Sequence, residues 1–587
     1  MTDQQNKESP KTVEDTRLYE VSLGLSQEDR ERLGLRFPVK IFVQDPLVAK
    51  KHEKEGILGI EQILLDWEPG LMDGPTSARV AVVDYNADTG TVVKPVTWNA
   101  EAKRFVGADD PKSFGFHQVN VWAIVQNTLS FFEDSYVMGR PIPWGFDGNR
   151  LIVVPHAGVT KNAFYNRSGK CLQFYYFISD GNPVYTCLSH DIVAHETAHA
   201  ILDGIRPFYY EPSSVQTPSF HEFIADLTAI LSALRFEHVR HAVAKISNGN
   251  IWGNNVISAL GEEFAEKDVE RIYGDAQRYY LRTACNSKTM KDIENSYEVH
   301  DCSEVLTGAM FKILARMTKL HIDDYALSPK EALWKATQHL NRLAFRALDY
   351  GPPVDIQFID YAQAVVRADE LAYPVDTFGY LKIVREVFKS RGLEELDPIA
   401  PPYSVTLTWK YKLYSVASSR TAAYHFLNDN RGRLDIPTNQ DFEIADLYYT
   451  DKVVGANKRL PREIILEYVW KEDVTLEGER FGPLKDKIIP LLCGGTLVFD
   501  ERGNTLYWSK KGGTQAGEAE GEGERRKEKL LGYIEKLVET GQIGLVDAEA
   551  VSNIGIYQPS IMGKQDGNVL HLEMTPQFLH PSKESAE

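Results

Sequence analysis

The sequence predicts an α+β protein with several domains, and three observations support this prediction. The chain has 587 residues, too many for a single hydrophobic core. Apolar residues at helix spacing dominate from about residue 303 to 391. After Pro401 and Pro402, alternating β-favouring residues take over. The hydrophobic fraction of 43% is typical of a folded globular protein.

Individual elements follow from local periodicity. RVAVVDY at 79–85 and LIVVP at 151–155 are short β-rich runs. The predicted helices lie at 117–133, 189–205, 219–236, 303–319, 329–348, 356–372, 378–391 and about 525–540. Further predicted strands are YSVTLTWKYKLYSV (403–416), REIILEYVW (462–470) and TLVFDERGNTLYWS (496–509).

Domain boundaries are predicted where the pattern changes. The predicted units are a disordered tail at 1–16, a mixed accessory region at 17–105, a central domain at 106–395, a β-rich domain at 400–510, a flexible Gly- and Glu-rich linker at 511–528 and a helix-containing segment at 529–587.

Charge and composition exclude several classes of partner. The formal net charge is −18, so the surface repels nucleic acid and anionic lipid, and neither nucleic acid nor membrane is an expected partner. The N-terminal sequence lacks a signal-peptide pattern, and no apolar run approaches the length of a membrane span. The five cysteines form no C-x-x-C pair, which favours a reducing compartment. We therefore expect a cytoplasmic protein.

Residues 195–199 read HETAH, the H-E-x-x-H pattern, within a predicted helix. His195 and His199 lie one helical turn apart, so both imidazoles can bind one metal ion. Glu196, beside the first histidine, can take a proton from a water bound to that metal. The pattern predicts one Zn²⁺ per chain.

A catalytic zinc requires a third protein ligand, and the next predicted helix supplies one in SFHEFIADLTAIL. Glu222 is the predicted ligand. Asp226, one turn later, is expected to accept a hydrogen bond from a ligand histidine and so to orient its ring. His221 is a rival ligand, but adjacent helical residues diverge by about 100°, so only one of the pair should face the metal.

HETAH followed by E-x-x-x-D resembles the gluzincins, and specifically the thermolysin-like zinc metallopeptidases. The resemblance covers roughly residues 110–393. It implies a β-containing N-terminal lobe and a helical C-terminal lobe with the zinc site between them, carrying extra N-terminal and β-rich C-terminal domains. The segments that match are NAFYN (162–166), DIVAHETAH (191–199), LRT (281–283), YEVHDCSEVL (297–306) and YAQAVVRADELAYP (361–374).

The resemblance also implies roles for residues outside the metal motif. Tyr210 and His300 match the family's two oxyanion-binding residues, whereas Arg282 matches an active-site arginine. Asn162 and Ala163 begin the segment that resembles the family's edge strand, which pairs with the bound peptide. The alternatives are a packing tyrosine, a core histidine and a surface salt bridge for Tyr210, His300 and Arg282, respectively.

Two features depart from the family pattern. Residues 227–248, where the family gathers calcium ligands, hold only one acid, Glu237, so calcium is not implied. The usual position of the acid that orients the second oxyanion-binding histidine holds Asn295. The residues that could replace it are Glu294, Glu298 and Asp301.

The resemblance implies a zinc-dependent peptidase that hydrolyses internal bonds of a peptide or protein through a metal-activated water, with Glu196 as general base. The alternative is a non-catalytic or differently specific zinc-binding recognition protein on a gluzincin scaffold. An aminopeptidase gluzincin would carry a G-x-M-E-N segment, which the sequence lacks.

Overall fold

The computed structural model of this chain describes residues 33, 35–68, 70–179, 181–253, 257, 259–260, 282–396, 413–455, 458–514, 521–547 and 561–575. The tail predicted at 1–16 lies outside these residues. The described chain is a mixture of helices and sheets. Among the described residues, no helix is both long and apolar enough to cross a lipid bilayer.

The N-terminal part surrounds one buried helix. Its elements are β1 (Arg36–Phe42), α1 (Pro46–Lys51), β2 (Ile60–Asp66), β3 (Val80–Val82), β4 (Tyr85–Asn86), β5 (Thr91–Val92), β6 (Thr97–Asn99), β7 (Arg104–Val106), α2 (Phe114–Glu133), β8 (Leu151–Val154), β9 (Ala163–Asn166), β10 (Cys171–Phe174), β11 (Tyr176–Ser179) and β12 (Asn182–Tyr185). α2 follows the cap Ser113 and is buried on most of its surface, as expected of a helix within a core.

A four-stranded mixed sheet in the order β3-β8-β10-β9 lies at the centre of this part. β8 runs parallel to β3 and β10, whereas β9 is antiparallel to β10 and forms an edge. Because β3 precedes residue 105, this sheet spans the predicted boundary between the accessory region and the central domain. β3 and β8 occupy the two β-rich runs predicted from the sequence.

A helical lobe follows. Its elements are α3 (His190–Ile205), α4 (Gln216–Ala233), α5 (Glu237–Ile246), β13 (Ala259–Leu260), β14 (Arg282–Thr283), α6 (Val299–Asp323), α7 (Pro329–Arg346), α8 (Phe358–Ala372) and α9 (Tyr380–Ser390). α3 packs on α4, α4 on α6, and α6 on α7. The six helices predicted for this stretch are confirmed, with α6 beginning four residues earlier than predicted because Glu298 caps it.

The C-terminal part is built on a sheet in the order β15-β18-β19-β23-β22-β21, with β20 also paired to β19. Its elements are α10 (Leu413–Val416), α11 (Arg420–Asp429), β15 (Phe442–Thr450), β16 (Val453–Gly455), β17 (Lys458–Arg459), β18 (Glu463–Thr475), β19 (Ile488–Asp500), β20 (Thr505–Lys511), α12 (Glu522–Glu539), β21 (Ile543–Asp547), β22 (Ile561–Asp566) and β23 (Val569–Met574). The strands predicted at 462–470 and 496–509 are confirmed, the latter as parts of β19 and β20.

One strand prediction in this part is wrong. Residues 413–416, the end of the predicted strand 403–416, form the short helix α10, and residues 403–412 lie outside the described part. α11 follows within the region predicted as β-rich. Its buried residues Ala423, Phe426 and Leu427 repeat at helix spacing, and Ser419 caps its first turn, so local sequence favours the helix.

The predicted linker 511–528 also differs from the structure at both ends. β20 extends to Lys511, and α12 begins at Glu522, whereas 515–520 lie outside the described residues. The buried Arg526 holds α12 in place by donating hydrogen bonds to Asp355, at 2.9 Å, and to the Leu492 carbonyl, at 2.6 Å. Charge composition alone did not reveal that this arginine would be buried.

Buried charges join the C-terminal sheet to the rest of the chain. Asp349 pairs with Arg140 (Nη2–Oδ1 3.1 Å) and with Lys452 (Nζ–Oδ2 2.8 Å). Arg206, directly after α3, pairs with Glu467 on β18. All five side chains are buried, and one continuous apolar core contains residues from Phe37 to Met574. The sheet is therefore part of the same packed body as the helices.

Candidate metal centre

The centre is built where α3 packs on α4. α3 begins after Ser189, and Asp191 in its first turn suits the positive end of the helix dipole. The H-E-x-x-H residues follow in the middle of α3, and Glu222 and Asp226 face them from α4. The five side chains that meet here are all buried: His195, Glu196, His199, Glu222 and Asp226.

Three side chains present their donor atoms to one point. The Nε2 atoms of His195 and His199 lie 3.2 Å apart. The Glu222 carboxylate lies 3.4 Å from His195 Nε2 and 3.5 Å from His199 Nε2. Two ligand atoms on a tetrahedral zinc lie about 3.3 Å apart, given metal–ligand distances of about 2.0–2.2 Å. This donor triangle (His195, His199, Glu222) therefore fits a zinc ion in both donor chemistry and size.

Asp226 determines which His195 nitrogen faces the triangle. Its Oδ1 lies 3.1 Å from His195 Nδ1, so Nδ1 carries the hydrogen and Nε2 is left to bind a metal. Burial lowers the pKa of His195, but hydrogen bonds with Asp226 and Glu222 outweigh it and raise the value to about 10. Without a metal, the neighbouring carboxylates therefore keep this ring doubly protonated and positively charged.

Glu196 lies between the donor triangle and the edge strand β9. Its Oε2 accepts a hydrogen bond of 3.1 Å from the Tyr165 backbone N–H. In the sheet, Tyr165 lies opposite Leu172 of β10. Its N–H points away from β10, from the free edge of β9 toward α3. Glu196 is thus held by the strand that, by the family resemblance, is expected to pair with a peptide.

His300, in the first turn of α6, lies beside the triangle. Its Nε2 is 3.3 Å from Glu222 Oε2, and its Nδ1 is 2.9 Å from Glu298 Oε1. Of the acids considered as its partner, the structure places Glu298 there. Burial would raise the pKa of Glu298, but hydrogen bonds from His300 and the first helical N–H groups lower it to about 2. Glu298 thus caps α6 and orients His300.

Tyr210 lies beside residues that neighbour the triangle. It is buried in the 3-10 helix Pro207–Tyr210, with its ring 6.3 Å from that of His221 and 6.2 Å from that of Tyr165. The Arg167 guanidinium lies 5.1 Å from the Tyr210 ring centroid. His221, the rival ligand, stacks on the His199 ring at 5.9 Å, and the donor triangle contains Glu222 instead.

The remaining predicted site residues lie on or next to two different sheets. Ala163 begins β9, and the carbonyl of the preceding Asn162 accepts a 3.3 Å hydrogen bond from the Tyr175 N–H. Both residues are buried beside α3. Arg282 begins β14, but its side chain lies outside the described residues.

Sequence reasoning missed Asp203, one turn after His199. Its carboxylate accepts a 2.7 Å hydrogen bond from the Tyr165 hydroxyl and lies 3.3 Å from Arg167 Nε. Burial raises the pKa of Asp203 to about 7, despite the opposing effect of Arg167. Asp203 positions β9 against α3. The only signal in the sequence was an acid within an apolar helix.

Comparisons with known proteins add one structural similarity. No family model matches the chain, and no curated protein matches its sequence. Among solved structures, the chain is similar to the precursor of protealysin, a metalloproteinase from Serratia proteamaculans, with 15% sequence identity and a TM-score of 0.35. The match covers 54% of this chain and 89% of that chain. At this TM-score, the match does not bear on activity.

Proposed function

We propose that this chain is a zinc-dependent endopeptidase that hydrolyses internal bonds of a peptide or protein. The observation that carries the proposal is the donor triangle, whose edges of 3.2 to 3.5 Å suit one tetrahedral zinc. Three protein ligands leave a fourth position for water or substrate, as in catalytic zinc sites.

Zinc, when bound, would polarise the scissile carbonyl. It would also lower the pKa of water, so that water could act as a nucleophile near neutral pH. Glu196 would take the proton of the attacking water and return it to the leaving amine. The hydrogen bond from Tyr165 keeps the Glu196 carboxylate at this position. Asp226 would keep the His195 ring in the tautomer that binds metal.

His300 is the proposed donor to the oxyanion that forms on the carbonyl oxygen. Its Nδ1 lies against Glu298, so Nε2 faces the centre. A donor aimed where negative charge develops stabilises the transition state more than the ground state. Tyr210 is the second proposed donor to the oxyanion, and Arg282 is proposed to bind the substrate. The position of Tyr210 near His221 supports a role at the rim of the site.

The substrate backbone would pair with the free edge of β9. This edge strand runs beside α3, and its Tyr165 N–H points toward Glu196. An extended peptide would add to this edge as a further strand, the β-augmentation mode of recognition. Asn162 and Ala163 would contact it. Addition along a strand suits cleavage within a chain better than removal of single N-terminal residues.

The experiment is metal analysis of the purified chain combined with cleavage of a peptide library, with and without a chelator. We expect zinc bound at the triangle and internal cleavage that the chelator abolishes. Glu196→Gln should keep the zinc but lower kcat by about 10²–10⁴-fold, because an amide cannot accept the proton. Glu237→Gln is the matched control, since Glu237 pairs with Lys330 at the surface.

Full activity of Glu196→Gln would contradict the proposed mechanism. A chain that binds zinc and peptides but cleaves none of the library would instead indicate the recognition protein.

A further inference from the structure

Two histidines and a cysteine converge outside the donor triangle. One ligand atom from each of His117, His156 and Cys187 lies within 4.8 Å of the other two. These side chains are 1%, 2% and 0% exposed, respectively. They come from different elements: His117 is on α2, His156 follows β8, and Cys187 lies in the 3-10 helix Thr186–Leu188 that precedes α3. We call this group the second cluster.

Outer hydrogen bonds determine which ring nitrogens face inward. His117 Nε2 lies 3.1 Å from the Pro111 carbonyl oxygen, which can only accept, so Nε2 carries a hydrogen. His156 Nδ1 lies 2.9 Å from Asp84 Oδ1, while Gln118 donates to the other Asp84 oxygen at 2.8 Å. If both rings are neutral, the inner nitrogens, His117 Nδ1 and His156 Nε2, both carry lone pairs.

The two inner nitrogens lie 2.8 Å apart. Lone pairs at this distance repel each other unless a cation lies between them, and the cation can be a proton or a metal ion. A shared proton would create a buried imidazolium, whose charge the Asp84 carboxylate would have to offset. It would also leave the Cys187 thiol without a role beside two rings that already satisfy each other.

We propose that His117, His156 and Cys187 form a second zinc site. Two imidazole nitrogens and a thiolate suit zinc, whereas magnesium and calcium prefer oxygen donors. Nitrogens on a tetrahedral zinc lie about 3.3 Å apart, so the rings need to separate by about 0.5 Å. Water would complete the coordination.

The charges of this site balance. Binding breaks the S–H bond of Cys187, the sulfur keeps the electron pair as a thiolate, and the proton leaves to solvent. The thiolate and the Asp84 carboxylate then offset the two positive charges of zinc. Asp84 would not bind the metal itself. It would accept a hydrogen bond from the ligand His156, the usual arrangement of a carboxylate behind a histidine ligand.

The second cluster is buried, so a metal here would hold elements of the fold together rather than receive a substrate, although its coordination would include a water. The Phe114 ring lies 4.5 Å from the His156 ring, and the Tyr185 ring lies 4.7 Å from the His117 ring. These aromatic rings cover the cluster. The site would join α2, the end of β8 and the turn before α3, and so would hold the start of the helix that carries the donor triangle.

Cobalt substitution separates the two sites, because only the second cluster contains a thiolate. The full-length chain is stripped of metal and titrated with Co²⁺. We expect two equivalents to bind and a thiolate-to-cobalt charge-transfer band to appear in the near ultraviolet. The donor triangle has only nitrogen and oxygen ligands, so it cannot produce this band. His199→Ala should therefore lose one equivalent and keep the band, whether or not the proposed peptidase function holds.

Cys187→Ser should lose the band and one equivalent, whereas Cys171→Ser, which removes another buried thiol, should keep both. Asp84→Asn should weaken cobalt binding at the second cluster by about 10–100-fold. The proposal is overturned if the folded wild-type chain shows no charge-transfer band with cobalt in excess, or if the band survives in Cys187→Ser. The wild-type spectrum alone decides the matter if Cys187→Ser does not fold.

Discussion

At the scale of single residues, the geometry of His300 has a kinetic consequence. His300 is oriented by Glu298 and faces Glu222 of the donor triangle. If it donates to the oxyanion, His300→Ala should lower kcat by about 10²–10³-fold and leave KM and zinc content little changed. Steady-state kinetics and metal analysis measure these quantities.

The matched control is His321→Ala. His321 is a buried histidine at the far end of the same helix, where it contacts Tyr380. Its removal should cost stability without reducing kcat. Loss of zinc in His300→Ala would contradict the oxyanion role and make this residue a metal ligand.

Residue spacing predicted part of the site and missed the rest. His195 and His199 lie one turn apart on α3, so helical geometry alone brings them together, and Glu222 joins them because α4 packs on α3. The second cluster is drawn from α2, the end of β8 and a 3-10 helix, and no local spacing relates its members. The partner of His300 likewise stayed open among Glu294, Glu298 and Asp301, because the choice depends on where α6 begins.

At the scale of elements, Glu298 combines a helix cap with a contact to His300. Its carboxylate accepts hydrogen bonds from the N–H groups of His300 and Asp301 at the start of α6. Glu298→Ala should therefore lower the free energy of unfolding by about 0.5–2 kcal/mol, the usual cost of a lost cap. It should also lower kcat, because His300 loses the group that orients it.

Ser328→Ala separates these effects. Ser328 caps α7 through a reciprocal capping box with Glu331, and neither residue contacts the donor triangle. Chemical denaturation should show a similar loss of stability, whereas kcat should stay unchanged. An equal fall of kcat in both variants would mean that Glu298 acts through stability alone.

Helices were better predicted than sheets for a physical reason. The helices of the central lobe have a continuous apolar stripe, which periodicity detects directly. The C-terminal sheet joins β19 to β23 across α12, and such pairings between distant segments leave no local pattern. α10 shows the opposite error, because β-favouring residues there form a helical turn.

At the scale of the whole molecule, buried charges hold the C-terminal sheet against the helical lobe. Asp349 pairs with Arg140 and with Lys452, which are buried with it, and Lys452 also pairs with the buried Glu463. Asp349→Asn should therefore lower the free energy of unfolding by about 3–5 kcal/mol, since it leaves buried positive charge uncompensated. Asp451→Asn is the matched control, because its pair with Arg462 is exposed and should contribute about 0–1 kcal/mol. Equal losses of stability in the two variants would contradict the stabilising role of the buried Asp349 pairs.

The same carboxylate predicts a pH dependence. Burial would raise the pKa of Asp349, but Lys452 and Arg140 lower it from 3.8 to about 2. A carboxylate with a lowered pKa stabilises the folded state above its unfolded pKa and loses this contribution as the pH falls toward its folded value. The stability difference between the wild-type chain and Asp349→Asn should therefore shrink between about pH 4 and pH 2. A difference that is constant over this range would contradict the pairing.

The ion pair between Arg206 and Glu467 has a consequence for synthesis of the chain on the ribosome. Arg206 directly follows α3, whereas Glu467 lies on β18, in the far part of the sequence. Chains emerge N-terminus first, so α3 leaves the exit tunnel long before its C-terminal anchor has been made. Until β18 emerges, Arg206 lacks the Glu467 carboxylate with which it pairs in the folded chain. We therefore expect the packing around the end of α3 to be completed late, after most of the chain has been translated.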